Sequence, residues 1–140
     1  RDRNVTGVQT CALPISYLET FGHPAPDRLL SELRFVGHDD PMSRAPFMTW
    51  LHENVSPDRI TFRTSEIEAM ALAVLAGVGA GFMSTRDAKA HADLVELMPA
   101  RPEWATVSWL VTHVDLHRTP KVQAFLTMLK AHAKDWPSAS

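Results

Sequence analysis

Along most of the chain the spacing of apolar residues switches between a period of three to four and a period of two, and the switches mark out elements. Tyr17 to Phe21 reads as the end of a helix stopped by Gly22, with Pro24 and Pro26 preventing continuation. A short helix restarts at Asp27, placed to cap it, with Leu29, Leu30 and Leu33 on one side. The run "RFVGHDD" predicts a strand ending at Gly37. In "SRAPFMTWLHEN", Phe47, Trp50 and Leu51 stand at helical spacing and predict a helix with its aromatic face inward. "RITFRT" alternates Ile60, Phe62 and Thr64 against Thr61 and Arg63, a strand pattern, and Ser65 behind it is placed to cap a helix carrying Ile67, Met70, Ala71, Val74 and Leu75. Ser84 caps a further helix with Asp87 three residues on. "DLVELM" and "TVSWLVTH" read as strands. "TPKVQAFLTMLKAHA" is an amphipathic helix with Val122, Phe125, Leu126 and Leu129 inward. This alternation predicts an open, mostly parallel α/β sheet.

The stretch "VTGVQTCALPIS", Val5 to Ser16, fits neither period, and Pro14 forbids a helix interior. Gln9, Thr10 and Pro14 break the apolar run, so it is no secretory signal. Val5 to Ile15 resembles the translation of a common sequencing-adapter oligonucleotide, whose last base would open the codon of Ser16. On that reading residues 1–16 are a non-native, unstructured segment, and the chain is a C-terminal fragment whose natural part starts at about Tyr17. The only cysteine, Cys11, goes with that segment, so disulfide and thiol chemistry drop out.

Composition narrows the function. The 124 residues from Tyr17 to Ser140 suffice for one domain or lobe, and 45% hydrophobic content over the chain is ordinary for a globular protein. Without Arg1, Asp2 and Arg3, the 14 basic and 16 acidic residues become 12 and 15, and the formal net charge moves from -2 to -3. That balance argues against a nucleic-acid-binding surface on these residues. No apolar stretch approaches the ~20 residues of a membrane span, so a cytoplasmic protein with no membrane partner is expected.

The three glycines two apart in "AGVGAGFMS", Gly77, Gly79 and Gly81, invite a phosphate-loop reading. A Rossmann or Walker cluster follows a strand and precedes a helix, whereas this one follows a helix and precedes a strand. A helix C-cap and close helix-to-strand packing account for it instead. His113 and His117 are four apart, but the segment from Val114 to Arg118 reads as a turn with no third ligand nearby, so no metal site is expected. No cofactor is expected either. There is no glycine-flanked serine elbow, no nucleophilic cysteine outside the excluded segment and no carboxylate pair suited to acid–base work.

Four stretches in this order, "YLETFGHPAPDRLLSELRFVGHDD", "ITFRTSEIEAMALAVLAGVGAGFMS", "DLVELMP" and "SWLVTHVDLHRTPKVQAFLTML", resemble the effector-binding domain of LysR-type transcriptional regulators. The resemblance covers nearly everything from Tyr17 to about Lys134. It implies an α/β fold of the type 2 periplasmic-binding-protein kind, two lobes around a cleft. Residues 17–104 would form most of the second lobe, 105–136 the returning strand and C-terminal helix of a truncated first lobe, and 137–140 a tail. The family's winged helix-turn-helix and dimerising linker helix would lie outside the chain. The implied function is an effector sensor of a DNA-binding regulator, with a small-molecule effector, operator DNA reached through the absent N-terminal domain, and a homo-oligomer in the intact protein.

Departures from the family pattern are Met83 and Ser84 in place of leucine-proline, Val114 in place of proline, and His117 and Gln123 in place of arginines. Glu66 is acidic where relatives tend to be small and polar. The effector-contacting residues expected are Thr64 and Ser65, through hydroxyls and backbone amides, with Glu66 beside them and Phe82 as an apolar wall. Glu66 and Glu68 either complement the helix dipole in solvent or select against an anionic effector, and Phe82 can equally serve core packing. Two rivals on the same scaffold remain: a solute-binding protein of a transport system, which would carry a secretory signal upstream, and an enzyme whose catalytic groups lie elsewhere.

Overall fold

In the computed structural model, which describes residues 2–7 and 9–132, the elements follow in the order β1 (Asp2–Gly7), β2 (Gln9–Pro14), α1 (Ile15–Phe21), α2 (Leu29–Glu32), β3 (Phe35–Gly37), α3 (Pro46–Asn54), β4 (Ile60–Arg63), α4 (Ile67–Leu75), β5 (Gly81–Ser84), α5 (Thr85–Ala90), β6 (Leu94–Met98), β7 (Thr106–Leu110) and α6 (Pro120–His132). Strand β2 pairs antiparallel with β5 on one side and with β6 on the other, and β3 pairs parallel with β4. A parallel bridge between Phe35 and Ala80 joins the two groups, with Val36 N–H donating to Ala80 O and Ala80 N–H to Arg34 O, both at 2.8 Å. The result is a mixed sheet in the order β4-β3-β5-β2-β6. Strands β1 and β7 form a separate antiparallel ribbon.

Two expectations fall together here. Residues 1–16 are not unstructured where they are described, and the sheet is not mostly parallel. Both failures trace to β2, which lies between two antiparallel partners in the sheet and is buried on both faces from Thr10 to Pro14. A strand covered on both sides has no reason to alternate, so it lacks the period-two signal of a half-exposed strand. The polar side chain within the buried run is satisfied: the Thr10 hydroxyl lies 2.7 Å from Glu96 Oε2 and 3.1 Å from Met98 O.

The glycine series does what its position after a helix implies. Gly77 ends α4 in the left-handed region (φ 74°), where a side chain is strained. Gly79 has no room for a side chain, since a Cβ there would lie 2.7 Å from Arg34 O. A Cβ on Gly81 would lie 2.4 Å from Val74 Cγ2, so this glycine lets α4 close onto the sheet. The next residue, Phe82, faces the other side by strand alternation. There it meets α3: its ring centroid is 5.5 Å from that of Phe47 and 6.0 Å from that of Trp50. The sheet is thus sandwiched, α4 on one face and α3 on the other.

Helix starts divide between expected and unexpected devices. Ser84 caps α5 as its sequence suggests, accepting from Asp87 N–H at 3.0 Å while its hydroxyl donates to Asp87 Oδ2 at 2.6 Å. Asp27 does not cap; it lies inside a 3-10 turn, Pro26–Arg28, that leads into α2 without a side-chain cap. Ser65 does not cap α4 either. Glu66 occupies the cap position, and the Thr64 hydroxyl accepts the Glu66 amide at 3.1 Å, an ST-turn just ahead of the helix.

The chain leaves β6 through a 3-10 turn, Pro102–Trp104, whose indole is fully buried. The Trp104 ring stacks edge-on against Trp50 at 5.1 Å and Phe82 at 4.8 Å, and the Arg101 guanidinium lies over both tryptophans, 5.4 Å from Trp50 and 4.9 Å from Trp104. Beyond it, on α6, Leu126 is buried, Val122 and Leu129 are half-buried and Phe125 is exposed.

Candidate functional site

Parallel strands β3 and β4 end side by side, and their carboxyl ends lie where open α/β sheets commonly place ligands. Thr64 continues β4 by one residue, its amide donating to Gly37 O at 3.2 Å. Ser65 and Glu66 follow, both exposed, and α4 begins at once. The first turn leaves the Ile67, Glu68 and Ala69 amides without intrahelical acceptors, which gives this end a partial positive charge. The carboxylates of Glu66 and Glu68 sit in the same turn and offset it.

Thr64, Ser65 and Glu66 are therefore brought together. Phe82 is not: it lies on β5, with β3 between it and β4, about two strand spacings away, on the order of 10 Å, and its ring is buried with Phe47, Trp50 and Trp104. Its role in core packing is the one the geometry displays.

Three residues not singled out from the sequence join the strand ends. His38 follows β3, half-buried, its Nδ1 accepting the Asp40 amide at 2.9 Å and lying 3.2 Å from Asp39 Oδ1. Arg63 closes β4, and its Nη2 donates to Pro57 O at 3.0 Å. His52, near the end of α3, has a buried Nε2 with no hydrogen-bond partner. Burial, then the charges of Arg63 and His38, hold the His52 pKa below its usual 6.5, with Asp40 opposing them. The available signal was positional: "GHDD" sits just past a strand whose parallel neighbour ends in "RTSE".

No three His, Cys, Asp or Glu side chains converge into a metal-binding group among the described residues. His113 pairs with Asp115 (Nδ1 to Oδ2, 3.5 Å), and His117 Nδ1 lies 3.0 Å from Thr112 Oγ1. No described helix is long and apolar enough to cross a membrane. Two described cavities lie away from the strand ends. One, of about 490 Å³, is lined by Leu110, Val111, Thr112, Val114, Arg118 and Leu126 among others; the second, of about 280 Å³, lies between Tyr17, Phe21 and Leu33.

Comparison with known proteins fits this arrangement. The family model for the LysR substrate binding domain matches residues 10–134. The chain belongs to the LysR substrate-binding-domain family. Its fold is accordingly the type 2 periplasmic-binding-protein-like α/β fold, as the four sequence stretches implied. The regulatory domain of CrgA, a LysR-type transcriptional regulator from Neisseria meningitidis, superposes with a TM-score of 0.67 at 17% identity, over 94% of this chain and 67% of that one. The regulatory domain of AphB in Vibrio vulnificus gives 0.62 at 16% identity, over 93% of this chain and 68% of that one. Against full-length AphB, the Vibrio cholerae virulence activator, the TM-score is 0.60 at 16% identity, and the chain spans 46% of that protein. No curated protein matches the chain. The LysR match begins at Thr10, inside β2 and inside the stretch that resembles an adapter.

Proposed function

We infer that this LysR-family domain senses a small-molecule effector for a cytoplasmic, homo-oligomeric transcriptional regulator whose winged helix-turn-helix lies outside the chain. The observation that carries the reading is the match of the family across residues 10–134 on the fold of LysR regulatory domains. The effector contacts the carboxyl ends of β3 and β4: Thr64 and Ser65 supply hydroxyls and backbone amides, and Glu66 discriminates by charge. We read the site as one that binds its ligand without transforming it, because the family whose model matches is that of a substrate binding domain. Binding shifts the relative populations of two lobe or subunit arrangements, which requires a difference in affinity between them. Residues 17–104 belong to the second lobe, and β7 with α6 return to the first.

The reading is tested at the source DNA and on the protein. Upstream of the Thr10 codon, where the family match begins, the reading frame should continue into the rest of a first lobe and then a winged helix-turn-helix. A secretory signal there, with no DNA-binding domain, would make this a transport-type binding protein. In a thermal-shift screen of the chain against small carboxylates, aromatic acids and amines, a stabilising compound should lose at least about fivefold in affinity in Thr64→Val, one lost hydrogen bond being worth about 1 kcal/mol or more. An unchanged affinity moves the site away from these strand ends.

A further inference from the structure

We propose that His52 makes this domain acid-responsive, protonation at its enclosed Nε2 releasing the C-terminal half of α3 from the ends of β3 and β4. Helix α3 is seated there by Leu51, whose Cδ2 lies 3.2 Å from the point a Gly37 side chain would occupy. His52 is the next residue, and its Nε2 is shut from solvent without a partner. An imidazolium needs an acceptor or water at both nitrogens, so a proton at this atom has nothing to receive it unless the ring moves outward.

The surroundings add to the cost. Arg63 on β4 and His38 after β3 disfavour a second positive charge. Asp40 is the neighbour that would favour one, but its Oδ1 already accepts the Met42 amide at 2.8 Å. On the turn packed against α3 at Trp50, Arg101 and Glu103 are paired with each other at 3.6 Å. Because the folded pKa lies below the ordinary value, the unfolded or released state binds more protons, and the seated state loses stability as pH falls below about 6.5. Trp50, two residues back on the same helix and stacked on Trp104, reports the change.

The test needs no effector, so it stands or falls separately from the functional assignment. In the 140-residue chain, ring-proton NMR should show His52 titrating at lower pH than the same residue in the urea-denatured chain, with tryptophan fluorescence changing over the same pH range. His52→Gln should abolish that fluorescence step, while His38→Asn should retain it. A His52 that titrates at the same pH folded as denatured, or higher, overturns the proposal, as does a fluorescence step that survives in His52→Gln. The NMR titration uses the unaltered chain, so a variant that fails to fold does not decide the matter.

Discussion

Burial pushes the Cys11 thiol up to about 12, because it strips away the water that would stabilise a thiolate. The residue is fully enclosed in the middle of β2. Folded protein at pH 8 should therefore resist a thiol reagent, with labelling at least about 100-fold slower than in denaturant, since an ordinary thiol ionises near pH 8.5. Rapid labelling under native conditions would mean that the N-terminal stretch is not in the sheet, as an unstructured segment requires. Trp104 is a different kind of buried residue. Its ring is surrounded by aromatic partners, yet its Nε1 has no acceptor, an omission that costs about 1–3 kcal/mol. The aromatic contacts and the Arg101 guanidinium over the indole face offset that cost.

The glycine-bearing link between α4 and β5 shows how one element is locked to its neighbours. Gly77→Ala should cost about 1–2 kcal/mol, from the left-handed backbone alone, since open space surrounds it. Gly81→Ala should cost about 1–3 kcal/mol by overpacking against Val74, whose side chain can give way. Gly79→Ala should be the worst of the three, because what it meets is the Arg34 backbone. Urea denaturation of the three variants checks that order. The same comparison shows why much of the fold is legible in sequence. The chain from Tyr17 onward carries local signals, a period, a cap or a glycine stop, and α1, β3, α3, β4, α4, β5, α5, β6 and α6 arise where those signals fall. Strand β2 has no local signal because its identity comes from partners 69 or more residues away. The site is legible in part for the same reason: Thr64 to Glu66 are adjacent in sequence, while His38 and His52 reach the strand ends only through the pairing of β3 with β4 and the seating of α3.

At the scale of the whole molecule, unpartnered apolar surface gathers on the β1–β7 ribbon, on α6 and on the segment between β7 and α6. A two-stranded ribbon is marginal in water by itself, and here β1 and β7 are flanked by exposed Val107, Val111, Val114, Leu116, Phe125 and Met128, with Val111 81% and Val114 78% accessible. Such a face promotes association. The chain should self-associate as its concentration rises, seen as a growing sedimentation coefficient, and Val111→Lys with Phe125→Lys should shift it back toward monomer. A monomer at all concentrations with one sharp melt would count against the division into lobes proposed above. The position of β2 also has a consequence for how this protein is made. Thr10 waits for Glu96, 86 residues later, before its hydroxyl finds that partner. At about 5–20 residues per second on the ribosome, that delay is on the order of ten seconds. For that interval the nascent chain presents Cys11 to Leu13 as a bare apolar strand, which makes it a natural client for chaperones and a hazard when they are scarce.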